Sequence, residues 1–252
     1  MKAILTGHSR GLGAAIAAEL LGRGIPTLGL ARRAHAALGR AHGSLLTQVE
    51  IDLADDAALA DWLGGGALRH FLDSTATILL INNAGTVQPV GPTDTQAPSA
   101  IAQAVSLNVA APLMLAGAAA ALHGATLHHA GAGTSELRIL HISSGAARNA
   151  YAGWAIYCAT KAALDHHARA VALDNSAGVK ICSLAPGIID TDMQAEIRAS
   201  TPEQFPDHDR FVALKRDGNL AKPEDAAHKL VTYLLSDAYG QEAIADLRQI
   251  TV

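Results

Sequence analysis

Ala3-Ile4-Leu5-Thr6-Gly7-His8-Ser9-Arg10-Gly11-Leu12-Gly13 passes from a short apolar stretch through three glycines into residues with helical periodicity. Residues 3–5 read as a strand and 12–23 as an amphipathic helix. Glycine tolerates backbone angles closed to other residues and lets a ligand come close to the main chain. A helix that starts directly after such a turn offers free N–H groups and a partial positive charge. Together these features suit a pyrophosphate. Gly7, Ser9, Arg10, Gly11, Leu12 and Gly13 are therefore the candidate phosphate cradle.

Outward from this turn, short apolar runs alternate with longer helical stretches. Strands are predicted at 3–5, 27–30, 46–51, 78–81, 137–142, 180–184 and 243–247, and helices at 12–23, 54–72, 100–122, 154–173 and 223–235. The strand runs do not alternate apolar with polar residues, which suits strands covered on both faces. Repeated strand–helix order predicts a parallel sheet with right-handed crossovers. The expectation is one doubly wound α/β domain over residues 1–252. Two stretches stand outside this order. A polar, Gly-rich loop is expected at 130–136, and 191–219 is long, charged and carries Pro202 and Pro206. Long segments after a strand end often cover a site, so 191–219 is read as a substrate lid.

Composition narrows the function. With 252 residues, 50% hydrophobic and 17% charged, the chain can bury enough apolar surface to fold. A net charge of −4 gives no basic excess to neutralise a phosphate backbone, so a nucleic-acid partner is not expected. Twelve histidines are scattered without an HExxH arrangement, so no metal is expected, although net charge should move near pH 6–7. The two cysteines, Cys158 and Cys182, build no disulfide framework. Met1-Lys2 leads straight into the first strand with no signal peptide, and the apolar run 109–122 is too short and too Ala-rich for a membrane span. A cytoplasmic protein with no membrane partner is expected.

Several residues carry chemistry on their own account. The second strand ends at Arg32-Arg33, where an acidic residue would accept bonds from a free ribose 2′-hydroxyl. Two guanidinium groups there suit a 2′-phosphate instead, with Arg10 in reach of the same group, so NADP(H) is favoured over NAD(H). Tyr157 and Lys161 stand four apart in a helical stretch, on one face. An ammonium beside a phenol is expected to lower the phenol's pKa, making Tyr157 a proton donor or acceptor near neutral pH. Lys161 can also hold ribose hydroxyls. Ser143 and Ser144 end a strand, where open parallel sheets place ligands, and a hydroxyl there can polarise a carbonyl. Tyr151 and Trp154 gather near Tyr157 in a chain poor in aromatics. With Ala146, and with Val87, Met193 and Ile197 opposite, they are expected to line an apolar cleft for a bulky carbonyl compound. Cys158 turns away from that face by about 100°.

Thr6-Gly7-x3-Gly11-x-Gly13, Asn82-Asn83-Ala84-Gly85, the serine thirteen residues before the tyrosine, Tyr157-x3-Lys161 and Pro186-Gly187 with Thr191 fall in one order. That set resembles the short-chain dehydrogenase/reductase family, in its single-domain branch. The resemblance implies a Rossmann fold. It selects Ser144 over Ser143 and makes Asn108, Ser144, Tyr157 and Lys161 the catalytic set, with Asn108 opening a long helix and supporting a proton relay from Lys161. It places Asp52 and Leu53 at the adenine, Asn83, Ala84 and Gly85 at the ribose, and Pro186, Gly187, Ile189 and Thr191 over the nicotinamide. Leu80 to Val87, Ile142 to Ala146, Asp190 to Gln194, Asp209-Arg210-Phe211 and Ile244 to Arg248 are further similar to the bacterial benzil reductases of the sepiapterin-reductase-like subgroup. There an acidic residue near the C-terminus anchors the pterin, a place to which Asp246 loosely corresponds. The implied activity is NADPH-dependent reduction of a ketone or diketone. The same residues serve an alcohol dehydrogenase working oxidatively, and a silent NADP-sensing protein would keep the fold alone. Residues 108–122 are apolar on nearly every face, which predicts a helix buried on both sides. With the family's pairing of this helix across a two-fold axis, a homodimer or homotetramer is expected.

Overall fold

The structure, a computed structural model, describes residues 1–130 and 135–251. Among these, seven strands form one sheet: β1 (Lys2–Thr6), β2 (Thr27–Ala31), β3 (Leu46–Glu50), β4 (Thr77–Asn82), β5 (Glu136–Ile142), β6 (Val179–Ala185) and β7 (Ile244–Asp246). Every pairing is parallel, in the order β3-β2-β1-β4-β5-β6-β7. The order reverses between β1 and β4, which opens a crevice at the carboxyl ends of these two strands. All of β2 is buried, as is all of β4 beyond Thr77, which is why no polar alternation marks them.

Helices cover both faces. On one side α1 (Gly11–Gly22) and, late in the chain, α10 (Pro223–Leu235) pack Ile16, Leu20, Leu230 and Val231 against Leu5, Ile81 and Leu184. On the other, Leu59 of α3 (Asp56–Gly64), Leu68 of α4 (Ala67–Leu72), Leu115 of α6 (Ala111–Ala130) and Ala168 of α7 (Ala155–Leu173) meet Ile4, Leu80 and Ile139. A third cluster sits beyond the strand ends, where Trp154 and Val87 meet Phe205 and Phe211.

Some expected elements change. The single helix expected at 54–72 is two helices, because Gly66 takes a left-handed φ of 82° between them. α2 (Ala36–His42) had no counterpart in the expectation, since it buries no residue and so carries no apolar stripe. The helix expected at 100–122 starts earlier, at α5 (Pro98–Val105), and passes through a π-helical turn, Ser106–Ala110, before α6. Asn108 therefore does not open a helix; it lies within that turn. The span Pro98–Ala125, longer than the run 109–122 considered above, is long and apolar enough to cross a membrane by length and composition alone, a test that the core helix of a soluble protein also passes. It is not buried on both sides within this chain: Leu115 and Ala119 face the core while Gly117 and Ala121 are exposed. The lid carries two helices, α8 (Asp192–Arg198) and α9 (His208–Arg216). Residues 131–134, the centre of the Gly-rich loop expected at 130–136, lie outside the described residues.

Candidate active site

The crevice begins at the end of β1. The Thr6 hydroxyl accepts hydrogen bonds from the N–H groups of Asn83 and Ala84, each 2.9 Å, and the Asn83 amide donates back to the Thr6 carbonyl at 2.9 Å. The ends of β1 and β4 are thus locked together. Gly7 has φ +72°, and a Cβ on Gly13 would stand 2.0 Å from the Gly7 carbonyl oxygen. No side chain caps the N-terminus of α1, so no side chain competes for its first N–H groups. This cradle fits a dinucleotide pyrophosphate.

A cleft of about 1130 Å³ runs from the cradle across the strand ends to the lid. Of the cofactor residues expected from the sequence, Gly7, Ser9, Arg10, Gly11, Leu12, Gly13, Arg32, Arg33, Asp52, Leu53, Asn83, Ala84, Gly85, Pro186, Gly187, Ile189 and Thr191 all line it. Arg32 and Arg33 are exposed at its edge. Arg10 behaves differently from the expectation. Its guanidinium is taken up by the lid, 3.1 Å from Asp192 and 3.5 Å from Glu196 of α8, and so bridges the first turn to the lid.

β5 and α7 supply the reactive groups. Lys161 Nζ donates 2.8 Å to the carbonyl of Ile142 at the end of β5 and lies 5.8 Å from the Tyr157 ring centre. The Ser144 side chain accepts from the N–H of Ala146 at 3.1 Å and lines the cleft together with Tyr157. Ser143 is turned inward instead, its hydroxyl donating to Asp165 at 2.7 Å. The geometry thus separates two adjacent serines that chemistry alone left equivalent. Asn108 is buried outside the cleft lining, accepting from the Thr86 N–H at 2.9 Å and donating to the Thr86 carbonyl at 2.8 Å and the Thr160 hydroxyl at 3.1 Å. A π-helical turn is a frequent device for aiming such a side chain out of register with its helix. Gly85 fits between this amide and Lys161: a Cβ there would lie 3.2 Å from Asn108 Oδ1 and 3.6 Å from Lys161 Nζ.

The electrostatics correct one expectation. Burial raises the Tyr157 pKa above its usual value and Ser144 only partly opposes this, so the net shift is upward and not the lowering expected from Lys161. Lys161 itself is pushed down to about 8 by burial, with Asp165 acting in the opposite direction. Without ligand, the phenol is protonated at neutral pH and the ammonium is mostly charged.

At the far end, Ala146, Tyr151, Trp154, Met193 and Ile197 line the cleft as expected, whereas Val87 is wholly buried behind it. Trp154 stacks on Phe205 of the lid, centroids 4.3 Å apart and planes at 11°, and meets Phe211 edge-on at 5.4 Å. Phe211, Gln194, Asn149, Gln103 and Arg248 also line the cleft without having been expected there, although Gln194, Phe211 and Arg248 fall in segments quoted above for their resemblance. Two of the chain's three phenylalanines lie in the lid, a signal as plain as the Tyr151–Trp154–Tyr157 group that was read. Asp246 does not face the cleft freely: it accepts from Arg248 at 2.9 and 2.6 Å. Cys158 packs with its thiol 3.7 Å from the Asn149 carbonyl.

Comparison with known proteins identifies the family and the fold. The profile of the short chain dehydrogenase family matches residues 1–202. The chain is 34% identical to a benzil reductase ((S)-benzoin forming) of Bacillus cereus over 244 residues, covering 94% of this chain and 95% of that protein. It is 32% identical to the sepiapterin reductase of Xenopus laevis, covering 94% and 91%. Among solved structures, a short-chain dehydrogenase/reductase from Burkholderia vietnamiensis shares 48% identity and a TM-score of 0.68, covering 99% of this chain and 98% of that one.

Proposed function

Since the chain belongs to the short-chain dehydrogenase family and is an oxidoreductase, we propose that it is an NADPH-dependent reductase of ketones or diketones with bulky, aromatic substituents. The observation that carries this reading is the placing of the Ser144 hydroxyl, the Tyr157 phenol and the Lys161 ammonium in the cleft that also holds the glycine cradle.

Bound NADPH would supply the hydride to the carbonyl carbon. Ser144 Oγ donates to the carbonyl oxygen and stabilises the charge that grows on it. Tyr157, held protonated by burial, delivers the proton at its OH. Lys161 would hold the ribose hydroxyls of the bound nucleotide and keeps positive charge beside the phenol as it ionises. Asn108 fixes the loop after β4 at Thr86, beside Lys161, where it supports reprotonation. The aromatic wall of Tyr151, Trp154 and Phe211 suits a flat apolar substituent. The benzil reductase likeness supports a diketone. Arg32 and Arg33, in the place of an acidic ribose ligand, support NADPH over NADH. A cytoplasmic homodimer or homotetramer, formed through the incompletely covered face of 98–125 and α7, completes the proposal; a stable monomer by light scattering at micromolar concentration would overturn that part.

Oxidation of NADPH with a panel of diketones and aromatic aldehydes tests the activity. Tyr157→Phe should leave NADPH binding near normal and lower kcat by about 10²–10⁴-fold. Retained turnover would refute the role given to Tyr157.

A further inference from the structure

Asp165 is a buried carboxylate that the mechanism above does not use. It is 3% exposed, on α7, one turn after Lys161. Its Oδ1 accepts from Ser143 Oγ at 2.7 Å, at the end of β5, and from Ser183 Oγ at 2.7 Å on β6. Its Oδ2 accepts from Arg148 Nε at 3.0 Å, in the loop after Ser144, and Arg148 in turn donates to the Ala245 carbonyl at 3.1 Å. A buried carboxylate is costly unless paired and hydrogen-bonded, and apolar packing of the same volume would hold helix to sheet at least as well. A charge retained here calls for a reason beyond adhesion.

Two features supply one. Ser143, Ser144 and Arg148 belong to one short segment, while Asp165, Lys161 and Tyr157 share a helix, so the carboxylate ties the carbonyl-polarising hydroxyl to the proton donor. It also places a negative charge one helical turn from a buried ammonium. We propose that Asp165 is a positioning residue for this site: it sets the Ser144 segment against α7 and holds Lys161 in its charged form. This rests on the carbonyl-reductase reading for its consequence, though not for its geometry. The charged and titratable groups facing the carboxylate and ammonium are Tyr157, His166 and Arg169 from α7, Arg148 from the loop, and His141 and Cys182 from the sheet. Of these, Arg148 is directly bonded to the carboxylate and is the partner that moderates its field.

The test reads Lys161 itself. In protein labelled with carbon-13 at lysine Cε, the Lys161 resonance is identified by its loss in Lys161→Met and titrated by NMR without substrate or cofactor. The wild-type midpoint is expected near the value of about 8. Asp165→Asn should move it down by about one pH unit or more, and the alkaline limb of kcat should follow. Arg148→Gln, which keeps the carboxylate and removes its cation, should move it up. Midpoints unchanged in either folded variant would overturn the proposal and leave Asp165 a structural cross-link. Wild-type protein inactive on every carbonyl tested would instead refute the reductase reading, with the titration still deciding the role of Asp165. Should Asp165→Asn fail to fold, the Arg148→Gln midpoint decides alone.

Discussion

Gly13 and Arg10 sit three residues apart and were readable to very different degrees. A Cβ at position 13 would meet the Gly7 carbonyl at 2.0 Å, so the need for glycine is local and its spacing announced it. Arg10 pairs with Asp192, 182 residues away, and no local pattern encodes such a partner. The same divide separates Ser144 from Ser143, whose inward turn depends on Asp165 of a later helix. It also separates the spacing of Tyr157 and Lys161, which was legible, from the raised pKa of Tyr157, which comes from burial among residues distant in sequence such as Val87, Phe205 and Phe211. Arg32 and Arg33 belong to the readable kind: they are exposed and already stand at the cleft edge. Charge-assisted bonds to a 2′-phosphate contribute roughly 1.5–3 kcal/mol each. The double substitution Arg32→Ala with Arg33→Ala should therefore raise KM for NADPH by about 10²-fold or more and change that for NADH by less than about threefold. Equal effects on the two nucleotides, measured by steady-state kinetics, would remove the 2′-phosphate assignment.

α10 was expected at 223–235 and spans Pro223–Leu235, because Pro223 starts it and Glu224 and Asp225 favour its positive end. The helices of the lid were not expected, although its position was. They bury few side chains, Gln194 and Ile197 from α8 and Phe211 from α9, too few to set up a periodic stripe. What holds the lid is instead a small set of side-chain and backbone contacts. Phe205 is wholly buried and stacked on Trp154, Lys215 pairs with Asp190 at 2.5 Å, and Gly153, at φ +79°, lies so close that a Cβ would come within 2.2 Å of the Gln204 carbonyl. Removing a buried phenylalanine ring from a packed core costs about 3–5 kcal/mol. A segment with few other anchors opens locally before the whole domain unfolds. Phe205→Ala is thus expected to raise KM for the carbonyl substrate about tenfold or more, to affect kcat less, and to speed limited proteolysis within 191–219. Unchanged KM and unchanged cleavage would show that the stack does not hold the lid closed.

Twelve histidines led to the expectation that net charge moves near pH 6–7, and for the whole molecule the fold makes part of that titration a stability term. His141 is fully buried on β5. The Asn82 amide donates to its Nδ1 at 3.1 Å, so its Nε2 carries the hydrogen and donates to His167 Nδ1, also at 3.1 Å. Protonating either ring would set N–H against N–H. Burial, with His167 and Lys161 nearby, holds the His141 pKa down to about 3, and burial lowers those of His8 and His167 as well. A histidine lowered on folding binds more protons when unfolded, so stability rises with pH between the folded and unfolded values. Its full contribution is present above about 6.5 and is lost as pH falls below it. From His141 alone the loss at pH 5.5 is about 1.4 kcal/mol, worth about 3–6 °C in Tm for a chain of this size. Glu136 and Asp246, lowered by their cationic partners, lose their contributions only below the ordinary carboxylate range and do not interfere in this window. His208, raised by Asp209, acts in the opposite direction, losing its contribution as pH rises through its folded value, but it is solvent-screened. Thermal unfolding of wild type between pH 8 and 5.5 should therefore show Tm falling with pH. His141→Gln, which keeps hydrogen-bonding capacity without a titrating ring, should show a shallower fall even if its whole curve lies lower. Parallel curves for the two proteins would mean that the buried His141 and its half-buried partner His167 are not what makes the domain acid-sensitive.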